Sequence, residues 1–191
     1  MFIKDYILKS IETKQKLLAE EKIIENIKEA STEIVNAYIE GKKVLFAGNG
    51  GSAADSQHLA CELVSKFYYE RKALNAIALT TNTSVLTSIG NDASFEQIFS
   101  RQIEAYGNSG DIFIALSTSG NSKNIIWALE QAKKQNLFCI GLTGEKSNKM
   151  DELCDIMIKV PSNETPIVQE SHIMIGHIIC ALVEGNLLKN Q

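Results

Sequence analysis

Lys42 to Asp55 reads KKVLFAGNGGSAAD, and the fold can be argued from this stretch. A short apolar run, Val44 to Ala47, ends in Gly48-Asn49-Gly50-Gly51-Ser52 and opens into a helical pattern. A strand that turns on glycine into a helix is the start of a βαβ unit. Four further runs share the texture: AIALT (76–80), DIFIALS (111–117), FCIGLT (138–143) and IMIKV (156–160). They are nearly continuous apolar runs, which is the pattern of parallel strands covered on both faces. Helical stretches separate them. The expectation is a three-layer α/β fold with a five-stranded parallel sheet in the flavodoxin-like order 2-1-3-4-5. Its switch point lies between strands 1 and 3, and ligands bind there, outside the carboxyl ends of the strands. The loops after those strands, GNGGSAAD (48–55) and STSGNS (117–122), are the two stretches richest in Gly and Ser.

On the N-terminal side, the spacing of Ile3, Ile7, Ile11, Leu17, Leu18, Ile24 and Ile27 predicts one long amphipathic helix over residues 2–29. A second helix over 32–40 stops at Gly41. On the C-terminal side, residues 164–188 read as a helix that is apolar almost all round between Ile173 and Val183, hence buried within the domain or between subunits. The 191 residues form a single expected domain: a helical arm over 1–40, then an α/β core and last helix over 41–191.

The 19 basic and 23 acidic residues leave a net charge of −4, which does not suit a protein gripping a nucleic-acid backbone. Four cysteines without a CxxC pair read as reduced and cytoplasmic. The opening MFIKDYILKSIETK has no apolar core of a signal peptide. The longest apolar stretch, about 11 residues, is too short to span a bilayer. No membrane or nucleic-acid partner is expected.

The glycine loop lets the backbone turn sharply and approach a ligand, with helix N–H groups free to meet an anion. An ordinary tight turn needs one glycine, not three. The serine loop, Ser117-Thr118-Ser119-Gly120-Asn121-Ser122, offers four hydroxyls before a helix, which suits a phosphate monoester. A helix cap alone would need one of them. His58 and Glu62 stand four apart on the helix after the glycine loop, a spacing that fits a metal ligand pair or an acid/base pair equally. Taken alone, such a pair is usually a solvated hydrogen bond. Gln169 and His177 are two turns apart and within roughly 80° on the last helix. His177 interrupts the run IMIGHIICALV, and a buried imidazole needs a partner. His172 lies about 140° from His177 around the helix, so it is read as structural or as a subunit contact.

Together the stretches GNGGSAADSQHLACEL, TSIGNDASFEQIFSRQIEA, ALSTSGNS and PSNETPIVQESHIMIGHIICALVE resemble the sugar isomerase (SIS) domain superfamily. Within it the chain is similar to the phosphoheptose isomerases, which act on sedoheptulose 7-phosphate. The resemblance covers nearly the whole chain. It implies one zinc ion per subunit, held by His58, Glu62, Gln169 and His177. It implies sugar-phosphate contacts from Asn49, Gly50, Gly51, Ser52, Glu62, Asn91, Asp92, Ser117, Thr118, Ser119, Ser122 and Gln169. It assigns Glu62 as base and His177 as its acid/base partner in an aldose–ketose isomerisation through an enediol, yielding heptose precursors of lipopolysaccharide or other surface glycans. It also implies a homotetramer with shared active sites. Ile167 stands where several relatives carry an arginine. The alternative is a non-catalytic SIS module of the initiator-associating type, which binds a sugar phosphate or a protein; those proteins depart from the isomerase pattern at the positions of Glu62 and His177, both intact here.

Overall fold

The computed structural model describes residues 2–189. Helices α1 (Phe2–Ala19) and α2 (Glu21–Ile39) lead into β1 (Val44–Gly48), α3 (Gly51–Val64) and β2 (Ala76–Ala78). There follow α4 (Thr83–Asp92), α5 (Ser100–Tyr106), β3 (Ile112–Leu116), α6 (Lys123–Lys134), β4 (Phe138–Gly144), β5 (Ile156–Val160) and α7 (Thr165–Lys189). The five strands form one parallel sheet in the order β2-β1-β3-β4-β5, as the sequence predicts. Gly48 pairs with Leu116 and Leu116 with Leu142, so β1 and β3 end level, β4 runs two residues further, and their outgoing loops share one edge.

Every residue of β1 and β3 is buried. Val44 and Phe46 pack with Ile27, Ile34, Leu59, Ile175 and Ile179, on the face covered by α2, α3 and α7. Leu45 and Ala47 point the other way, into Ile103, Ile125 and Leu129 of α5 and α6. Strands buried on both faces gain apolar contact from every side chain, which is why their runs carry no polar alternation.

The N-terminal expectation is corrected. The chain breaks at Glu20 (φ −95°, ψ 91°), and α2 then runs without interruption through residues 29–32. The apolar stripes explain the break. Ile23, Ile27, Ala30 and Ile34 are buried, whereas Ile3, Ile7 and Ile11 are exposed. On one straight helix Ile11 and Ile23 would lie about 120° apart, so a single rod could not present both stripes to one surface. Ser31 and Thr32 do not start a helix; their hydroxyls bond back to the carbonyls of Ile27 and Lys28.

Helix α7 has the length and apolar composition of a membrane-crossing segment. Here it lies against α2 and α3, burying Ile167, Val168, Ile175, Ile179 and Val183 and leaving Ile178 and Leu182 exposed. Its buried face also carries His172 and Glu184, which hydrocarbon would penalise. His172 has no exposed surface, so it is a core residue of one chain, not a subunit contact. Neither ring nitrogen has a hydrogen-bond partner of ordinary geometry. Burial pulls its pKa down to about 4, with the Thr143 backbone opposing. Ile167 is likewise core, with 1% of its surface exposed, so this position does not face a ligand in this chain.

Candidate active site

The glycine loop is shaped by what its missing side chains allow. A Cβ on Gly48 would lie 2.4 Å from the Ser52 carbonyl oxygen, and Gly50 sits at φ +56°. Gly51 leaves room for another element: a Cβ there would lie 2.6 Å from Oε1 of Gln169. The Gln169 amide reaches in from α7 and donates to Ser52 Oγ at 3.4 Å. Asn49 is tied to Asn124, near the start of α6, by two reciprocal amide bonds of 2.9 and 2.8 Å. The glycine loop is therefore joined directly to the helix that follows the serine loop.

The serine loop is held by its own hydroxyls and by the segment after β4. Ser117 Oγ accepts from Gly120 N and lies 3.2 Å from Ser122 Oγ. Asn121 N donates to Ser119 Oγ. Gly144 N donates to the Thr118 carbonyl, and Lys149 N to Asn121 Oδ1. A cavity of about 230 Å³ opens here, lined by Thr118, Ser119, Asn121, Gly144, Lys146 and Thr165 among others. A larger concavity of about 360 Å³ lies at the opposite end of the strands, around Glu33, Glu40, Asn136 and Asp155, away from both loops. Asn91 and Asp92 end α4, exposed, bonded to each other and to Ser88.

The third group is built on helices. His58 and Glu62 share a face of α3, with 3.4 Å between Nε2 and Oε1. His177 of α7 brings its Nε2 to 2.9 Å from that of His58. Their approach depends on Gly176, because a Cβ there would come within 2.5 Å of Leu59. Phe67 closes the far side, its ring 5.6 Å from that of His177. One donor atom from each of His58, Glu62 and His177 lies within 4.8 Å of the others. Two imidazole nitrogens and a carboxylate oxygen that converge in this way can hold a divalent metal ion. Nitrogens sharing one tetrahedral ion stand about 3.3 Å apart, near the separation found. The structure thus brings together His58, Glu62 and His177, and sets Gln169, two turns before His177, against the glycine loop.

Two residues escaped the sequence reading. Asp55 precedes His58 by one turn, and one of its carboxylate oxygens is buried without a partner. Burial pushes its carboxyl above the ordinary value, while His58 and His177 pull it back. The signal was available as the spacing Asp55, His58, Glu62 along one helix face. Asn124 looked like one more polar residue at a helix start, and nothing local in the sequence announces its partner 75 positions away.

Comparison with known proteins points to one family. The chain matches the SIS domain family over residues 5–144. It is 54% identical to a phosphoheptose isomerase of Aneurinibacillus thermoaerophilus over the whole chain and 96% of that protein. It is 55% identical to phosphoheptose isomerase 2 of Campylobacter jejuni over 97% of this chain and 92% of that one. The structure of the phosphoheptose isomerase of Neisseria gonorrhoeae superposes with a TM-score of 0.89 at 37% identity, covering 96% of this chain and 97% of that one. With its sheet order, its serine loop and its paired helices α3 and α7, the chain belongs to the phosphoheptose isomerases of the SIS domain family.

Proposed function

We propose that the protein is an aldose–ketose isomerase that converts sedoheptulose 7-phosphate to D-glycero-D-manno-heptose 7-phosphate. The observation that carries this is the meeting of His58, Glu62 and His177 from two helices. The reaction removes a proton from C1 of the ketose, passes through an enediol, and delivers a proton to C2. Glu62 takes the carbon-bound proton and returns it, and His177 moves the hydroxyl proton between O1 and O2. Ser117, Thr118, Ser119 and Ser122, with nearby backbone N–H groups, hold the phosphate and so fix the distance to the reacting carbons. Asn49, Gly50, Gly51, Ser52, Asn91, Asp92 and Gln169 line the path of the sugar.

The donor set fits zinc, one ion per subunit, held by His58, Glu62, Gln169 and His177. Bound there, zinc supplies Lewis-acid polarisation of the substrate carbonyl. We also propose a homotetramer in the cytoplasm, with sites completed across subunits. The exposed apolar residues of α1 (Phe2, Ile3, Ile7, Leu8, Ile11) and Ile178 and Leu182 of α7 support a covered surface. His58 stands half-exposed on an open flank, which supports a site completed by a neighbour.

The test is direct. Purified protein is given sedoheptulose 7-phosphate, and aldose formation is followed by NMR alongside metal content and light scattering. Expected are turnover, about one zinc per chain, loss of activity on chelation with recovery on zinc addition, and a mass of four chains. A zinc-loaded protein that forms no aldose would overturn the reading.

A further inference from the structure

Residues 65–75, between α3 and β2, form neither helix nor strand, yet three successive N–H groups in this segment share one acceptor. Those of Phe67, Tyr68 and Tyr69 all donate to the Glu184 carboxylate of α7, at 3.0, 2.6 and 3.1 Å. Glu184 has no exposed surface. Arg71, 4% exposed at its side chain, donates Nε to Glu184 Oε1 at 2.9 Å. The rest of the guanidinium is used on carbonyls. Nη2 donates to Glu62 O at 2.9 Å, and Nη1 to Leu63 O at 2.8 Å, with longer bonds to the carbonyls of Ser65 and Lys72. A cation at these carbonyls also suits the C-terminal end of α3. Burial would raise the Glu184 carboxyl, but the three N–H groups and the guanidinium outweigh it and hold it below its ordinary value.

A buried ion pair is a weak source of stability, often matched by apolar side chains of the same shape. What this pair does is geometric. One partner holds the backbone of Glu62 itself. The other lies on α7 two turns beyond His177 and anchors the loop whose Phe67 ring faces the His177 ring. Neither side chain bonds to the serine loop or the glycine loop. We infer that Arg71 and Glu184 are positioning residues for the proton-transfer cluster: they fix the last turn of α3 against α7, so that the Glu62 carboxylate, His177 and Phe67 keep their mutual geometry while phosphate binding goes on independently.

This inference rests on the isomerase reading, and its test separates the two. Arg71→Met, Arg71→Lys, Glu184→Gln and Phe67→Leu are assayed as zinc-loaded full chains on sedoheptulose 7-phosphate. Zinc affinity is measured by chelator competition, and the His177 ring resonances are recorded in metal-free protein. The first and third variants are expected to lose at least about tenfold in kcat, with KM within about twofold of wild type, and to bind zinc about 10–100-fold more weakly, as supporting partners of metal ligands do. Arg71→Lys recovers only part, because one ammonium cannot reach the carboxylate and the carbonyls together. Phe67→Leu, which removes no buried charge, is expected to keep the fold, lower kcat a few-fold and shift both the pH profile of kcat and the His177 resonances. Folded variants with wild-type kcat, zinc affinity and His177 resonances overturn the inference. So does a kcat loss that merely follows the folded fraction. If the charge variants do not fold, Phe67→Leu decides alone, and wild-type kcat and pH profile there overturn it. An inactive wild-type protein sinks the isomerase reading instead, and the His177 resonances of the variants still decide the positioning role.

Discussion

The serine loop, beyond the carboxyl end of β3, and the imidazole–carboxylate cluster, where α3 and α7 cross, are held by different means. The serine loop is built locally. Its shape comes from hydrogen bonds within six residues, from Gly120 at φ +64°, and from the segment after β4 that bonds to Thr118 and Asn121. The cluster is side-chain-made. It exists only where α3 and α7 cross closely, at Gly176 and Leu59, and where the Arg71–Glu184 pair fixes the level of the crossing. A loop that carries its own geometry can bind a phosphate in many chemical settings. A cluster that needs two helices in register specifies one chemistry and is the more easily lost.

That difference can be broken or sharpened experimentally, starting with the largest expected effect. His177→Gln keeps bulk and polarity but removes the titratable nitrogen. Turnover should fall at least about 100-fold, since acid–base groups contribute roughly 10²–10⁴-fold. Thermal stabilisation by a sugar phosphate, read by calorimetry, should largely survive because the loop is independent. If stabilisation disappears together with turnover, the two regions are not separable.

The buried histidine of α7, His172, comes next. Folded His172 takes up its proton only near pH 4, whereas the unfolded chain does so near 6.5. Stability that is complete above pH 6.5 is therefore lost as the pH falls through this window, by on the order of 3 kcal/mol. Urea midpoints at pH 7 and 4.5 should show this loss in the wild type and a shallower one in His172→Leu. An equal acid slope in both proteins would place the titration elsewhere.

Ser119→Ala tests the loop side. A hydrogen bond to a charged group is worth about 1.5–3 kcal/mol, so KM should rise about tenfold or more with kcat little changed. An unchanged KM would remove Ser119 from the phosphate. The smallest effect is expected for Asn124→Ala, which breaks the amide pair joining the glycine loop to α6. It should cost about 1–2 kcal/mol in unfolding free energy, mostly from leaving Asn49 without its partner.

The sheet was legible because strands buried on both faces have to be apolar throughout, and VLFA and IFIAL are. The loops were legible because close backbone approach demands glycine. His58 and Glu62 could be paired from spacing alone, but their meeting with His177 required the family resemblance, since no local pattern encodes which helices cross. The same limit hid Arg71 and Glu184, two ordinary charged residues 113 positions apart whose burial arises only in the tertiary structure. The break at Glu20 was missed because exposed and buried isoleucines look alike in a periodicity argument.

Helix α7 also bears on how the chain reaches this state. It packs against α2 from the opposite end of the sequence, so that contact closes one of the longest loops in the protein. As the ribosome extends the chain, β1 to β5 can assemble while Ile27, Ile34 and Leu59 still lack their cover on the α7 side. The nascent protein then carries a finished serine loop and an open apolar flank, the condition in which partly made chains stick to one another and draw on chaperones. Docking of α7 seals that flank and, in the same event, delivers His177 to His58.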